Sequence, residues 1–115
     1  MRKRSYVPER GDLVWLDFTP QAGHEQAGRR PALILSATAY NGKTGLAIGC
    51  PVTSQVKGYP FEVPLPAKGK IIGVVLADQV RSLDWKARNA EFVGNAPAET
   101  VQEALRKLAV IVQFT

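Results

Sequence analysis

Turn-forming residues recur along this chain at short intervals, and the stretches between them are rich in Val, Ile, Leu and aromatic side chains. This punctuation constrains the fold most, because it suits short strands and leaves little uninterrupted chain for helices. Strands are expected at about 11–18, 31–35, 46–52, 61–65, 71–77 and 87–93. In the fourth, Phe61, Val63 and Leu65 alternate with Glu62 and Pro64, a period-two pattern with one apolar face. The fifth, Ile71-Ile72-Gly73-Val74-Val75-Leu76, is apolar on both faces and reads as a central, covered strand. One long helix is expected, over about 97–112. Pro97 suits its first turn, and Val101, Ala104, Leu105, Leu108, Ile111 and Val112 make a single apolar stripe. Glu103 and Lys107 add an i,i+4 pair on this helix, which is expected to cover a β-barrel or sandwich rather than carry function.

With 115 residues, the chain is expected to form one domain, 1–115. No apolar run has the length needed to cross a bilayer. Met1-Arg2-Lys3-Arg4 is positive, but Val7-Pro8-Glu9-Arg10-Gly11 follows where a signal peptide would have its apolar core. The expectation is therefore a cytoplasmic protein with no membrane association. Cys50, the single cysteine, sits in an apolar run and reads as a core residue in a reducing compartment. Charge says more: 15 Lys and Arg against 10 Asp and Glu leave +5. The resulting pI of about 9.7 favours polyanionic partners.

Two loops stand out by composition. The first, 19–30, holds His24, Glu25, Gln26, Arg29 and Arg30; the second, 53–60, holds Thr53, Ser54, Gln55, Lys57 and Tyr59. There is no Cys/His zinc spacing, no phosphate-binding Gly-rich loop and no Gly-x-Ser-x-Gly elbow, and the carboxylates are scattered singly. Two-metal hydrolysis has no visible ligand set, and one histidine cannot serve as both base and acid of a His pair. If such a chain cuts RNA, it does so without a metal or other cofactor.

RNA permits that, because its 2′-OH is an internal nucleophile. The protein then needs a base, groups that stabilise the phosphorane, and a proton source for the 5′-oxygen. Glu25 is a candidate base, Arg30 a guanidinium fork for the phosphorane, and Thr53 a neutral donor. Arg is an awkward acid, so water or His24 are the other proton sources. Each residue also has an ordinary role open to it. Arg30 can pair with Asp17 or Glu25 at a strand mouth, and Thr53 can form a turn. The residues by themselves reach a basic β-barrel with two polar loops.

The same residues carry a resemblance. Arg10-Gly11-Asp12-Leu13-Val14-Trp15-Leu16-Asp17-Phe18 and Gly23-His24-Glu25-Gln26-Ala27-Gly28-Arg29-Arg30-Pro31-Ala32 resemble the opening of MazF/PemK (Kid-like) toxins. Pro51-Val52-Thr53 resembles the Pro-x-Thr element of that family. Lys57-Gly58-Tyr59-Pro60-Phe61-Glu62-Val63 and the block from Val75 to Leu83 match later elements in the same order. The likeness spans about 6–112, and Glu-Gln-Ala-Gly-x-Arg-Pro places it nearest the MazF branch.

That resemblance implies an SH3-like β-barrel of the PemK/CcdB type, with a C-terminal helix and one or two short helices, forming a symmetric homodimer. It implies a metal-independent endoribonuclease that cuts single-stranded mRNA, leaving 2′,3′-cyclic phosphate and 5′-OH ends. Arg30 and Thr53 take the positions of the family's catalytic pair, with Glu25 in the same pocket. His24, Gln26, Arg29, Ser54, Gln55, Lys57, Tyr59 and Gln79 are the expected RNA contacts, and loop likeness points to a motif containing A-C-A. The resemblance also implies a cognate antitoxin whose acidic C-terminal tail competes for the RNA groove. Two alternatives stand beside this reading: a gyrase-poisoning toxin of the same fold, and a basic SH3-like module that binds nucleic acid or peptide without chemistry.

Overall fold

Alternation along β1 (Asp12–Phe18) sets the layering of the molecule: Leu13 joins one apolar cluster, and Val14, Leu16 and Phe18 join the other. The computed structural model describes residues 6–18 and 28–113. Among these, β1 is followed by β2 (Gly28–Ile34), α1 (Thr38–Thr44), β3 (Leu46–Thr53), β4 (Glu62–Pro64) and β5 (Val74–Leu76). A 3-10 turn (Ala77–Gln79), β6 (Arg81–Asp84), β7 (Glu91–Asn95) and α2 (Ala98–Val112) complete the order. The strands form one antiparallel, coiled sheet in the order β4-β5-β3-β2-β1-β7, with β6 pairing β3 beside β5. The molecule is thus mainly β with a C-terminal helix and short helical turns, as expected.

Both faces of the sheet are covered. Leu13, Leu33, Cys50, Val52, Val63 and Val75 pack with Val101 and Ala104 of α2, while Val14, Leu16, Phe18, Ala32, Ile34 and Leu83 pack with Trp85. Burying each large aliphatic side chain contributes about 1.5–3 kcal/mol, and Leu16, Leu33 and Ile34 are wholly buried. Cys50 lies in this core, where burial, with a smaller contribution from the charge of Asp78, pushes its thiol up to about 12.

Several expected elements moved, each for a physical reason. The fifth strand is central, between β3 and β4, and Val74, Val75 and Leu76 are buried. It starts only after Gly73, which has φ +117, so Ile72 stays 58% exposed. The strand expected at 87–93 is β7, shifted to 91–95, because 85–89 form a turn after the unanticipated β6. The helix α1 is built from Thr38-Ala39-Tyr40-Asn41-Gly42-Lys43-Thr44, in which only Ala39 and Lys43 are good helix formers by intrinsic preference. Tertiary hydrogen bonds hold it: buried Asn41 donates from Nδ2 to the Pro8 and Ser36 carbonyls, and its own carbonyl accepts the Trp85 indole N–H. On α2 the apolar stripe buries Val101 and Ala104 and packs Leu105 and Leu108, but Val110, Ile111 and Val112 remain exposed.

Candidate active site

β2 and β3 pair antiparallel through Ala32↔Pro51, Leu33↔Cys50 and Ile34↔Gly49. This ladder ends at Ala32↔Pro51, and Arg30 and Thr53 each lie two residues beyond it, at the same end of the two strands. Side chains opposite one another in an antiparallel pair share a face, as do those two residues apart on one strand, so Arg30 and Thr53 project to one side, with Ala32 and Pro51. Arg30 is half-buried and lies opposite Leu16 of β1. Thr53 closes β3, pairs with Val74 of β5 and is only 7% exposed. Its Oγ accepts the Gln55 N–H at 3.1 Å, which forms the turn expected of a threonine there and leaves the hydroxyl proton free to be donated. The backbone of Gly73 presses against the Thr53 carbonyl from the β5 side.

Asp17, one of the two partners open to Arg30, pairs with Arg29. Arg29 donates from Nη1 to Asp17 Oδ1 at 2.8 Å and from Nη2 to the Asn89 carbonyl and to Glu91 Oε1. Asn89, in the left-handed region at φ 56, donates from Nδ2 to Asp17 Oδ2, and Arg88 donates to the Asp17 carbonyl. The Asn89 and Arg29 hydrogen bonds hold the Asp17 carboxyl below its ordinary range. Arg29 therefore ties the end of β1 to the turn before β7 and to β7 itself. Glu25, His24 and Gln26 lie outside the described residues.

On the other side of Thr53, Ser54, Gln55, Lys57 and Tyr59 are all exposed on the β3–β4 loop. A hydrogen bond from Tyr59 to Asp78, and then the charge of Asp78, raise the Tyr59 phenol above its ordinary range. Gln79 is half-buried in the 3-10 turn, which packs against both β3 and α2. The structure thus brings Arg30, Thr53 and the β3–β4 loop to one end of the sheet. Three further residues belong to this region. Arg81 pairs with Gly49 on the face shared by Thr53, and its guanidinium lies 5.4 Å from the Phe18 ring centre. Glu62, assigned by alternation to a polar outer face, is 8% exposed beneath the loop. Lys107 reaches the same loop from α2. A carboxylate directly after a glycine-containing loop was the one available signal for Glu62; Arg81 and Lys107 carry no local one. Among the described residues no three His, Cys, Asp or Glu side chains converge, and no helix is long and apolar enough to cross a membrane.

Residues 9–112 match the family model for the PemK-like, MazF-like toxin of type II toxin-antitoxin system. The endoribonuclease toxin MazF of Escherichia coli strain K12 is 50% identical over 107 residues, covering 93% of this chain and 96% of that protein. The crystal structure of MazF (Form-I) from Deinococcus radiodurans superposes with a TM-score of 0.92 at 61% identity, over 96% of this chain and 100% of that one. The toxin chain in a MazE-MazF crystal structure (Form-II) from the same organism gives 0.88 at 60% identity, with the same coverage. A family match over residues 9–112, with relatives this similar over nearly the whole chain, leaves one assignment: this chain belongs to the PemK-like, MazF-like family of type II toxin-antitoxin toxins.

Proposed function

We propose that this protein is a sequence-specific, metal-independent endoribonuclease toxin that cuts single-stranded mRNA in the cytoplasm. The observation that carries the reading is the placement of Arg30 and Thr53 on one face at adjoining strand ends, flanked by a polar loop. A half-buried guanidinium and a buried hydroxyl there can both point donors at one phosphate, and partial burial strengthens such bonds. In the proposed step a base takes the 2′-OH proton, and Glu25 is the candidate for it. The 2′-oxygen bonds to phosphorus, Arg30 and Thr53 stabilise the phosphorane oxygens, and the bond from phosphorus to the 5′-oxygen breaks as that oxygen gains a proton. The products are a 2′,3′-cyclic phosphate and a 5′-OH. Curated relatives named as endoribonucleases support the activity, and MazE-MazF complexes support a cognate antitoxin as partner. A chain with a net charge of +5 also suits an acidic antitoxin tail competing with RNA.

The test is incubation of the purified chain with a long single-stranded RNA in excess EDTA, with the fragment ends mapped. Cuts at one short motif with 5′-OH ends are expected. Arg30→Ala should abolish them, and Thr53→Ala should slow cleavage about 100-fold, the usual loss for one oxyanion donor, with RNA affinity nearly kept. RNA bound but left whole would instead make the chain a binding module, and gyrase inhibition without RNA cleavage would make it a gyrase poison.

A further inference from the structure

The β3–β4 loop is exposed throughout residues 54–60, yet its backbone is not free. Glu62, the first residue of β4, turns its carboxylate under the loop. Its Oε2 accepts the Lys57 N–H at 3.0 Å and its Oε1 accepts the Gly58 N–H at 3.1 Å. The Glu62 N–H closes the turn on the Tyr59 carbonyl at 3.1 Å. From α2, Lys107 Nζ donates to the Pro60 carbonyl at 2.5 Å and to the Glu62 carbonyl at 3.1 Å. Gly58, at φ +78 with open space around it, makes the reversal that brings two consecutive N–H groups onto one carboxylate.

This carboxylate is a poor fit to a general stabilising role. A residue left 8% exposed has lost most of its hydration, and the partners it gains are two backbone amides of a surface loop. What it secures is shape. With the backbone donors turned inward onto Glu62, the Lys57 side chain lies exposed on a fixed frame, and the half-exposed Tyr59 ring is set beside it, edge-on to Phe61 and hydrogen-bonded to Asp78. Gln55, whose N–H is held by Thr53, starts that frame at the candidate catalytic threonine. Only a carboxylate does this well, because a glutamine offers one acceptor and would set an NH2 against the second N–H.

Resting on the ribonuclease reading, we propose that Glu62 is a positioning residue for base selection. It holds the β3–β4 loop in its RNA-reading shape before RNA arrives, and Lys107 braces the same loop from α2. Ordering then occurs at folding rather than at binding, which favours tight and selective recognition by Lys57 and Tyr59.

The test uses the full chain with Glu62→Gln and, separately, Lys107→Met. Loss of one charge-assisted hydrogen bond is expected to speed amide exchange at Lys57 and Gly58 about ten-fold, with core amides such as Leu33 unchanged. On RNA, Glu62→Gln should raise KM at the preferred motif about ten-fold, leave kcat within about three-fold, and increase cutting at other sequences. Lys107→Met should shift all three in the same direction by less, and it carries the test if Glu62→Gln fails to fold. Fast-exchanging loop amides with unchanged KM and cut-site preference would make Glu62 merely structural and overturn the proposal. So would unchanged exchange. A wild-type chain that cuts no RNA overturns the ribonuclease reading and base selection together, whereas wild-type cutting with unaltered preference in the variants overturns this proposal alone.

Discussion

At Gly73 the backbone of β5 approaches β3 so closely that there is no room for a methyl group. A Cβ there would lie 2.1 Å from the Thr53 carbonyl oxygen and 2.9 Å from Ser54 Cα, both backbone atoms that cannot swing aside. The φ of +117 adds strain for any side chain. Gly73→Ala is expected to cost about 2–5 kcal/mol in urea unfolding, from overpacking and strain together. Gly45→Ala is the control, since its φ is +75 but nothing lies within 4 Å of a Cβ, and about 1–2 kcal/mol is expected there. Equal losses in the two variants would mean that the close approach to Thr53 is not what holds glycine at position 73. Gly73 was visible in the sequence only as a break in an apolar run. Its reason for being glycine lies across the sheet and has no local signature.

Among the elements, the Arg29 clamp joins β1, β2 and the turn before β7 at the stem of the first polar loop. Its members are exposed, so its effect on stability is small and screened by salt. The sign follows from the lowered Asp17 pKa: the stabilisation is fully present above the ordinary carboxylate range and is lost as pH falls through the depressed value. Asp17→Asn should therefore be less stable than wild type at neutral pH and equal to it in strong acid, by urea midpoints at low salt. A gap that persists in acid would point to a loss other than charge. The paired strand ends were legible in advance only in part. Arginine-proline and Pro-x-Thr marked Arg30 and Thr53, but local sequence could not decide which of two adjacent arginines faces Asp17. Strand alternation decides it, because Asp17 pairs with Arg29 in the β1–β2 register and Leu16 pairs with Arg30.

For the whole molecule, the last turn of α2 leaves Val110 at 56%, Ile111 at 41% and Val112 at 61% exposure. The expected homodimer would place such exposed aliphatic side chains at its interface. Sedimentation should give twice the 12.5 kDa mass of one chain, and Val112→Asp should weaken that association. A monomer at micromolar concentration would refute the dimer; a dimer indifferent to Val112→Asp would place its interface elsewhere. By itself the sequence determined the class of the fold, the course of β1, β3 and α2, the buried thiol and the polar loop after β3. These follow from periodicity, turn residues and charge, which act over a few neighbouring residues. Only the tertiary structure decided that a helix forms at Thr38–Thr44, that β6 precedes β7, that Arg29 rather than Arg30 takes the Asp17 pair, and that Glu62 turns inward. Each of those depends on a partner distant in the chain, as Asn41 depends on Pro8 and Lys107 on Pro60, and no local pattern encodes a contact whose other half lies tens of residues away.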